Sequence, residues 1–142
     1  MVSIVASIKF LNQALDIQNV YTEVEKIAKS YFYRGHLGTF PLFINNIYKH
    51  ALKKFNINRT VKTRYIKGIG FNFATVKCLI DNNIPVILSL WNDGVDKYKN
   101  HSVVIVGYDE NNNFLIYDNW SLNINKVNYK KLSFISSICW TE

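Results

Sequence analysis

Residues 101–118 constrain this chain more than any other stretch. His101-Ser102-Val103-Val104-Ile105-Val106-Gly107-Tyr108 is rich in β-branched residues, Asp109-Glu110-Asn111-Asn112-Asn113 is polar, and Phe114-Leu115-Ile116-Tyr117-Asp118 is apolar again. Branched side chains suit a pleated, half-buried backbone, and Asp and Asn suit tight turns because their side chains bond the local main chain. The pattern predicts an antiparallel hairpin. A lone hairpin is marginal in water, so the rest of the chain must cover it. The hairpin also carries a histidine and a carboxylate to the same end of one sheet. With the turn centred on Asn111, Asp118 falls opposite Val104, three residues from His101. That is roughly 10 Å at about 3.3 Å per residue, and a bulge or shifted turn would have to shorten it.

The covering elements are legible on both sides of the hairpin. Ile4, Ile8, Leu11 and Leu15 form one stripe at helical spacing and predict a helix over 4–15, kept slim by Ala6 and Ser7. A second helix is predicted over Val20 to Tyr31, followed by a loop from Arg34 to Gly38. Thr39 suits an N-cap with Pro41 in the first turn, and Phe43, Ile44, Ile47, Ala51 and Phe55 continue a third helix. Thr60 to Ile66 reads as a strand broken by Gly68 and Gly70, and Asn72 as the cap of a short helix over Phe73 to Asp81. Pro85 to Trp91 reads as a buried strand, Asn92 to Asn100 as a polar loop, and Asn128 to Trp140 as one or two further strands. Helices come first and an antiparallel sheet follows, which predicts an α+β class. At 142 residues the chain fits a single domain over 1–142.

Composition excludes several classes. With 49% hydrophobic and 15% aromatic residues the chain can fill a core, so a disordered reading fails. No apolar run approaches the roughly 18 residues that span a bilayer, so no transmembrane segment is expected. Met1 to Leu11 is apolar but carries Lys9 and no basic leader, unlike a signal peptide. A native start at Met1 implies the cytoplasm; otherwise an export signal precedes it. The formal charge is +7, but the lysines are scattered, as on a solvated surface. Only Arg59 to Lys67 interleaves basic and aromatic residues, and strand alternation splits its charge between two faces, which argues against nucleic acid. The two cysteines, Cys78 and Cys139, make neither a disulfide framework nor a metal site, and apolar neighbours suggest that both are buried.

A carboxylate beside an imidazole fixes its tautomer and stabilises the imidazolium, which is what a general base for a thiol requires. The plainer reading is a strand-end histidine bonded to a loop. His36 and His50 read as surface or structural residues. The string from His101 to Tyr108, then Ile116-Tyr117-Asp118-Asn119-Trp120, resembles the histidine and asparagine motifs of papain-like cysteine peptidases. It is most similar to the branch of bacteriocin-processing, double-glycine leader peptidases, where Asp commonly replaces Asn. Ile84-Pro85-Val86-Ile87-Leu88-Ser89-Leu90 and Gly38-Thr39-Phe40-Pro41 resemble further segments of that branch.

The resemblance implies a papain-like fold, a peptide or protein ligand, no cofactor, His101 as base and acid, Asp118 as its orienter and Trp120 as a shield beside the cleft. It also implies a nucleophilic cysteine at the start of the first helix, where the dipole lowers a thiol pKa, and a glutamine upstream for the oxyanion. Met1, Val2 or Ser3 stands there instead. Ser3 fits best, as an N-cap or as a serine in the nucleophile's place. Cys78 and Cys139 lack the setting that activates a thiol. Three readings follow: a cysteine peptidase whose nucleophile is absent or replaced near Ser3, a peptide-binding module without chemistry, and a binder of nucleic acid or anionic surfaces using the positive charge.

Overall fold

A computed structural model describes residues 1–31, 33, 41–69, 72–91 and 100–142. The readings made for Arg34 to Gly38, including His36, for the Thr39 cap, for Gly70 and for residues 92–99 lie outside the described residues. Helix α1 spans Val2–Leu11 and ends at Asn12, whose backbone turns extended. It stops short of Leu15 because Lys9 Nζ reaches past the end to donate to the carbonyls of Gln13 and Leu15, closing a turn. Helix α2 spans Ile17–Lys29 and begins earlier than its stripe suggests, because Asp16 accepts from Asn19 N at 2.7 Å and caps it. Helix α3 spans Pro41–Lys54. His50 on α3 has its Nδ1 3.2 Å from the Tyr31 hydroxyl, a structural contact between helices. Helix α4 spans Phe73–Asp81 and is capped by Asn72, which accepts from Thr75 N at 3.1 Å as expected.

The strands are β1 (Val61–Tyr65), β2 (Val86–Leu90), β3 (His101–Tyr108), β4 (Asn113–Tyr117), β5 (Ile124–Asn128) and β6 (Ser137–Thr141). All described pairings are antiparallel, in the spatial order β1-β6-β2-β3-β4-β5. The α+β class expected from the sequence is the class observed. The C-terminal region supplies one of the expected strands, β6, while β5 starts ahead of Asn128.

Strand alternation splits the core into two layers on one sheet. One layer packs Ile4, Ile8, Val20, Val24, Ile47 and Tyr48 of the first three helices on Ile87, Cys139 and Val61. The other packs Val76 of α4 with Val86, Leu88, Leu90, Val103, Ile105, Phe114 and Ile116. Cys139 is buried, and burial pushes its thiol up to about 11. Cys78 corrects the sequence reading: it lies on the exposed side of α4, because the helix turns Val76 and not Cys78 to the sheet.

Candidate active site

The hairpin β3–β4 sets the geometry. Tyr108 pairs with Phe114 and Gly107 with Leu115, but Ile105 pairs with Ile116 and Val104 with Tyr117. Val106 is the extra residue of a β-bulge, and it is half-exposed. The bulge puts Tyr117, not Asp118, opposite Val104. It therefore brings Asp118 one residue nearer to His101 than the simple register allows.

His101 Nε2 lies 2.8 Å from the main-chain carbonyl oxygen of Asp118. A carbonyl only accepts, so Nε2 carries the proton and donates it, and in the neutral ring the lone pair is on Nδ1. The Asp118 carboxylate is fully buried. Its Oδ1 accepts from Trp120 N at 3.0 Å and Ser121 N at 3.2 Å, and its Oδ2 from Asn125 Nδ2 at 3.0 Å. These bonds fix the turn after β4, in which Asn119 adopts a left-handed backbone with φ 62°. The turn delivers Trp120 onto the imidazole, with the rings stacked at 4.1 Å between centroids and 28° between planes. Trp120 is itself 58% exposed, so it stands between the imidazole and solvent.

Burial lowers the His101 pKa below its ordinary 6.5; the bond to the Asp118 carbonyl and the negative field of Asp118 oppose that shift, and the Met1 amino group adds a smaller lowering. Burial likewise lowers that amino group to about 6. The start of α1 therefore lies within electrostatic reach of the imidazole.

Ser3 is not the cap of α1. Met1 is the N-cap residue, without a side-chain bond, and Ser3 is inside the first turn. Its hydroxyl is 1% exposed and donates to the Ser102 carbonyl at 2.7 Å. Three further serines extend this contact. Ser7 Oγ donates to the Ser3 carbonyl at 2.9 Å, and Ser89 Oγ and Ser102 Oγ are 3.3 Å apart. The Ser3 bond joins α1 to β3 beside His101, and the Ser89–Ser102 contact joins β3 to β2. The sequence reading passed over Ser89 and Ser102. Their signal was a small hydroxyl inside each of two apolar strands, at paired positions of one register.

Next to this cluster an apolar groove of about 400 Å³ runs along α1, lined by Phe10, Ile84, Pro85, Val106, Tyr117 and Ile124 among others. Among the described residues no group of three or more His, Cys, Asp or Glu could hold a metal ion. No described helix is long and apolar enough to cross a membrane.

Compared with protein families, residues 5–142 match the Peptidase_C39 like family. No curated protein matches the chain. The match spans nearly the whole sequence and agrees with the four α-helices and the six-stranded antiparallel sheet of the described residues, a papain-like arrangement.

Proposed function

The chain belongs to the Peptidase_C39 like family, and from that premise we propose a cysteine peptidase-like domain in which His101 is the general base and acid. The observation that carries this reading is the imidazole itself, anchored through Nε2 to the Asp118 carbonyl and covered by Trp120 at the N-terminal end of α1. A ring held in that tautomer offers Nδ1 to take a proton from a nucleophile and to return it to a leaving amine. Asp118 orients the ring through its carbonyl, and its negative field favours the imidazolium formed on the way. Ile4 N and Val5 N donate to the Met1 carbonyl, so the N–H groups of Val2 and Ser3, for which the helix offers no acceptor of its own, are the candidates to stabilise an oxyanion. The reaction is acyl transfer: a thiolate attacks a peptide carbonyl, His101 protonates the amine that leaves, and water then releases the acyl group.

The nucleophile's place is Met1, Val2 or Ser3. Ser3 is the best fit by sequence, but its hydroxyl is buried and spent on the Ser102 carbonyl. Met1 is the N-cap residue of α1 and is half-buried, so position 1 keeps the access that Ser3 lacks. We therefore favour position 1. The groove beside α1 supports a peptide or protein as ligand, because it is apolar and is lined by Ala6, Ser7 and Phe10 of that helix. The same groove supports the alternative reading, a binding module without chemistry.

The test introduces cysteine at positions 1, 2 and 3 separately, the first behind an added initiator methionine, in a Cys78→Ser background. Reaction with a thiol probe is followed against pH. A cysteine paired with His101 reacts well below the unperturbed thiol pKa of about 8.5, and His101→Ala abolishes that enhancement. Position 1 is expected to give the largest effect and position 3 a small one. If no position shows reactivity dependent on His101, the binding module is the better reading.

A further inference from the structure

Two loops meet at the end of β1 and the start of β6 to form a cap, which buries Ile66 and Leu132 in the core layer of α4. Gly68 N donates to the Tyr65 carbonyl at 3.0 Å, and Ile66 N donates to the Ser136 carbonyl at 2.8 Å. The Tyr129 hydroxyl donates to the Ile66 carbonyl at 3.3 Å, and Lys67 Nζ donates to the carbonyls of Lys130 and Leu132. The cap is thus held by bonds between its two loops. Yet it turns other apolar side chains outward: Ile69 is fully exposed, Phe134 is 79% exposed, and Tyr65 and Ile135 are each at least half exposed. Arg64, Lys130 and Lys131 are exposed around them, and Lys67 Nζ lies 5.4 Å from the Phe134 ring centroid. No acidic residue occurs in 59–69 or 129–137, and no described carboxylate forms an ion pair with these four cations.

We propose that this cap docks on an anionic membrane surface, with Ile69, Phe134 and Ile135 entering the interface and Arg64, Lys130 and Lys131 facing acidic lipid headgroups, while Lys67 holds the two loops together. Side chains exposed to this degree stand out from the surface and do not line a recess, so they suit a deformable apolar layer better than a peptide. Nucleic acid would need open aromatic faces for stacking. Here two of the four exposed apolar side chains are aliphatic, and the Phe134 ring is occupied by Lys67. Apolar tips ringed by cations match an interface that is apolar inside and negatively charged at its surface. The start of β6 lies at the same end of the sheet as His101, since Trp91 N donates to Ser136 Oγ at 3.3 Å and Leu90 pairs with His101, whereas Lys130 and Lys131 follow the end of β5, which pairs with the start of β4.

The experiment is co-sedimentation of the intact chain with vesicles of phosphatidylcholine, with and without phosphatidylserine, at low and high ionic strength. Binding is expected only with phosphatidylserine, and to weaken as salt rises. Lys130→Gln and Lys131→Gln should each reduce the affinity about fivefold, from about 1 kcal/mol per cation near such a surface. Phe134→Ser should reduce it about tenfold, from the apolar area no longer buried. Lys29→Gln, on α2, should change nothing. All four side chains are exposed, so these variants keep the fold, which circular dichroism checks. Absence of binding, equal binding to uncharged vesicles, or binding unaffected by the cap variants would overturn the proposal. So would loss in those variants of binding to a single-stranded oligonucleotide when vesicles do not bind at all.

Discussion

Trp120 stacked on His101 is the contact on which the proposed chemistry depends most closely. Burial is the largest influence on the imidazole, and the indole stacked on it supplies part of that burial. Trp120→Ala should therefore let water in and raise the His101 pKa toward 6.5, read from the imidazole resonances against pH. A fall would mean that the attraction of the ring's π-face for an imidazolium outweighs the desolvation it imposes. The sign for stability follows from the same shift. The folded pKa lies below the unfolded one, so between the two the unfolded chain binds the extra proton. What His101 contributes is complete above the unfolded value and is lost as pH falls through about 6.5 toward the folded pKa; His101→Gln should flatten that part of a pH–stability curve. At this scale the sequence was only half legible. His101, Asp118 and Trp120 could be named from their types, but a main-chain acceptor leaves no mark in a sequence, so the Asp118 carbonyl could not be foreseen as the ring's partner. The buried bond from Ser3 to Ser102 was hidden for a similar reason, since it joins residues 99 apart.

Strand β3 brings its histidine into register through one residue. Val106 is chemically like its neighbours, and only its exposure betrays that the ladder skips it. The hairpin was therefore readable and the bulge was not, although the expected offset between His101 and Asp118 already required something of the kind. Deleting Val106 should leave a continuous ladder with the same pairs, Ile105 with Ile116 and Gly107 with Leu115, and so keep Asp118 at its place relative to His101. The expected result is retention of the Nε2–H resonance protected by the Asp118 carbonyl. Loss of that resonance would mean that the local twist of the bulge, and not the pairing it leaves behind, positions the carbonyl. Helix types were legible from stripes, whereas their ends depended on single side chains. Lys9 closing the turn after α1 and Asp16 capping α2 each moved a boundary by a few residues.

In the whole molecule, both core layers hang on β2. Leu88 faces the layer of α4, and its neighbour Ile87 faces the layer of the first three helices; both are fully buried. Ile87→Ala and Leu88→Ala should each cost about 2–5 kcal/mol, and each should leave a single unfolding transition, because one strand serves both layers. Two separated transitions in either variant would mean that the layers fold as independent units and would end the single-domain reading. The α+β class was legible in the order of helices and strands, but the strand order was not. The partners of β1 and β2 are set by tertiary packing that local composition does not carry, and β6, the sixth strand along the chain, lies second across the sheet, between β1 and β2. That insertion has a consequence during synthesis. Until residues 137–141 leave the ribosome, β1 has no described neighbour in the sheet and β2 has one edge bare, with Ile87, Leu88 and Ser89 waiting for Cys139, Ile138 and Ser137. A nascent chain in that state offers an apolar strand edge to any other extended segment nearby. The sheet closes on its own chain only once residues 137–141 take their place between β1 and β2.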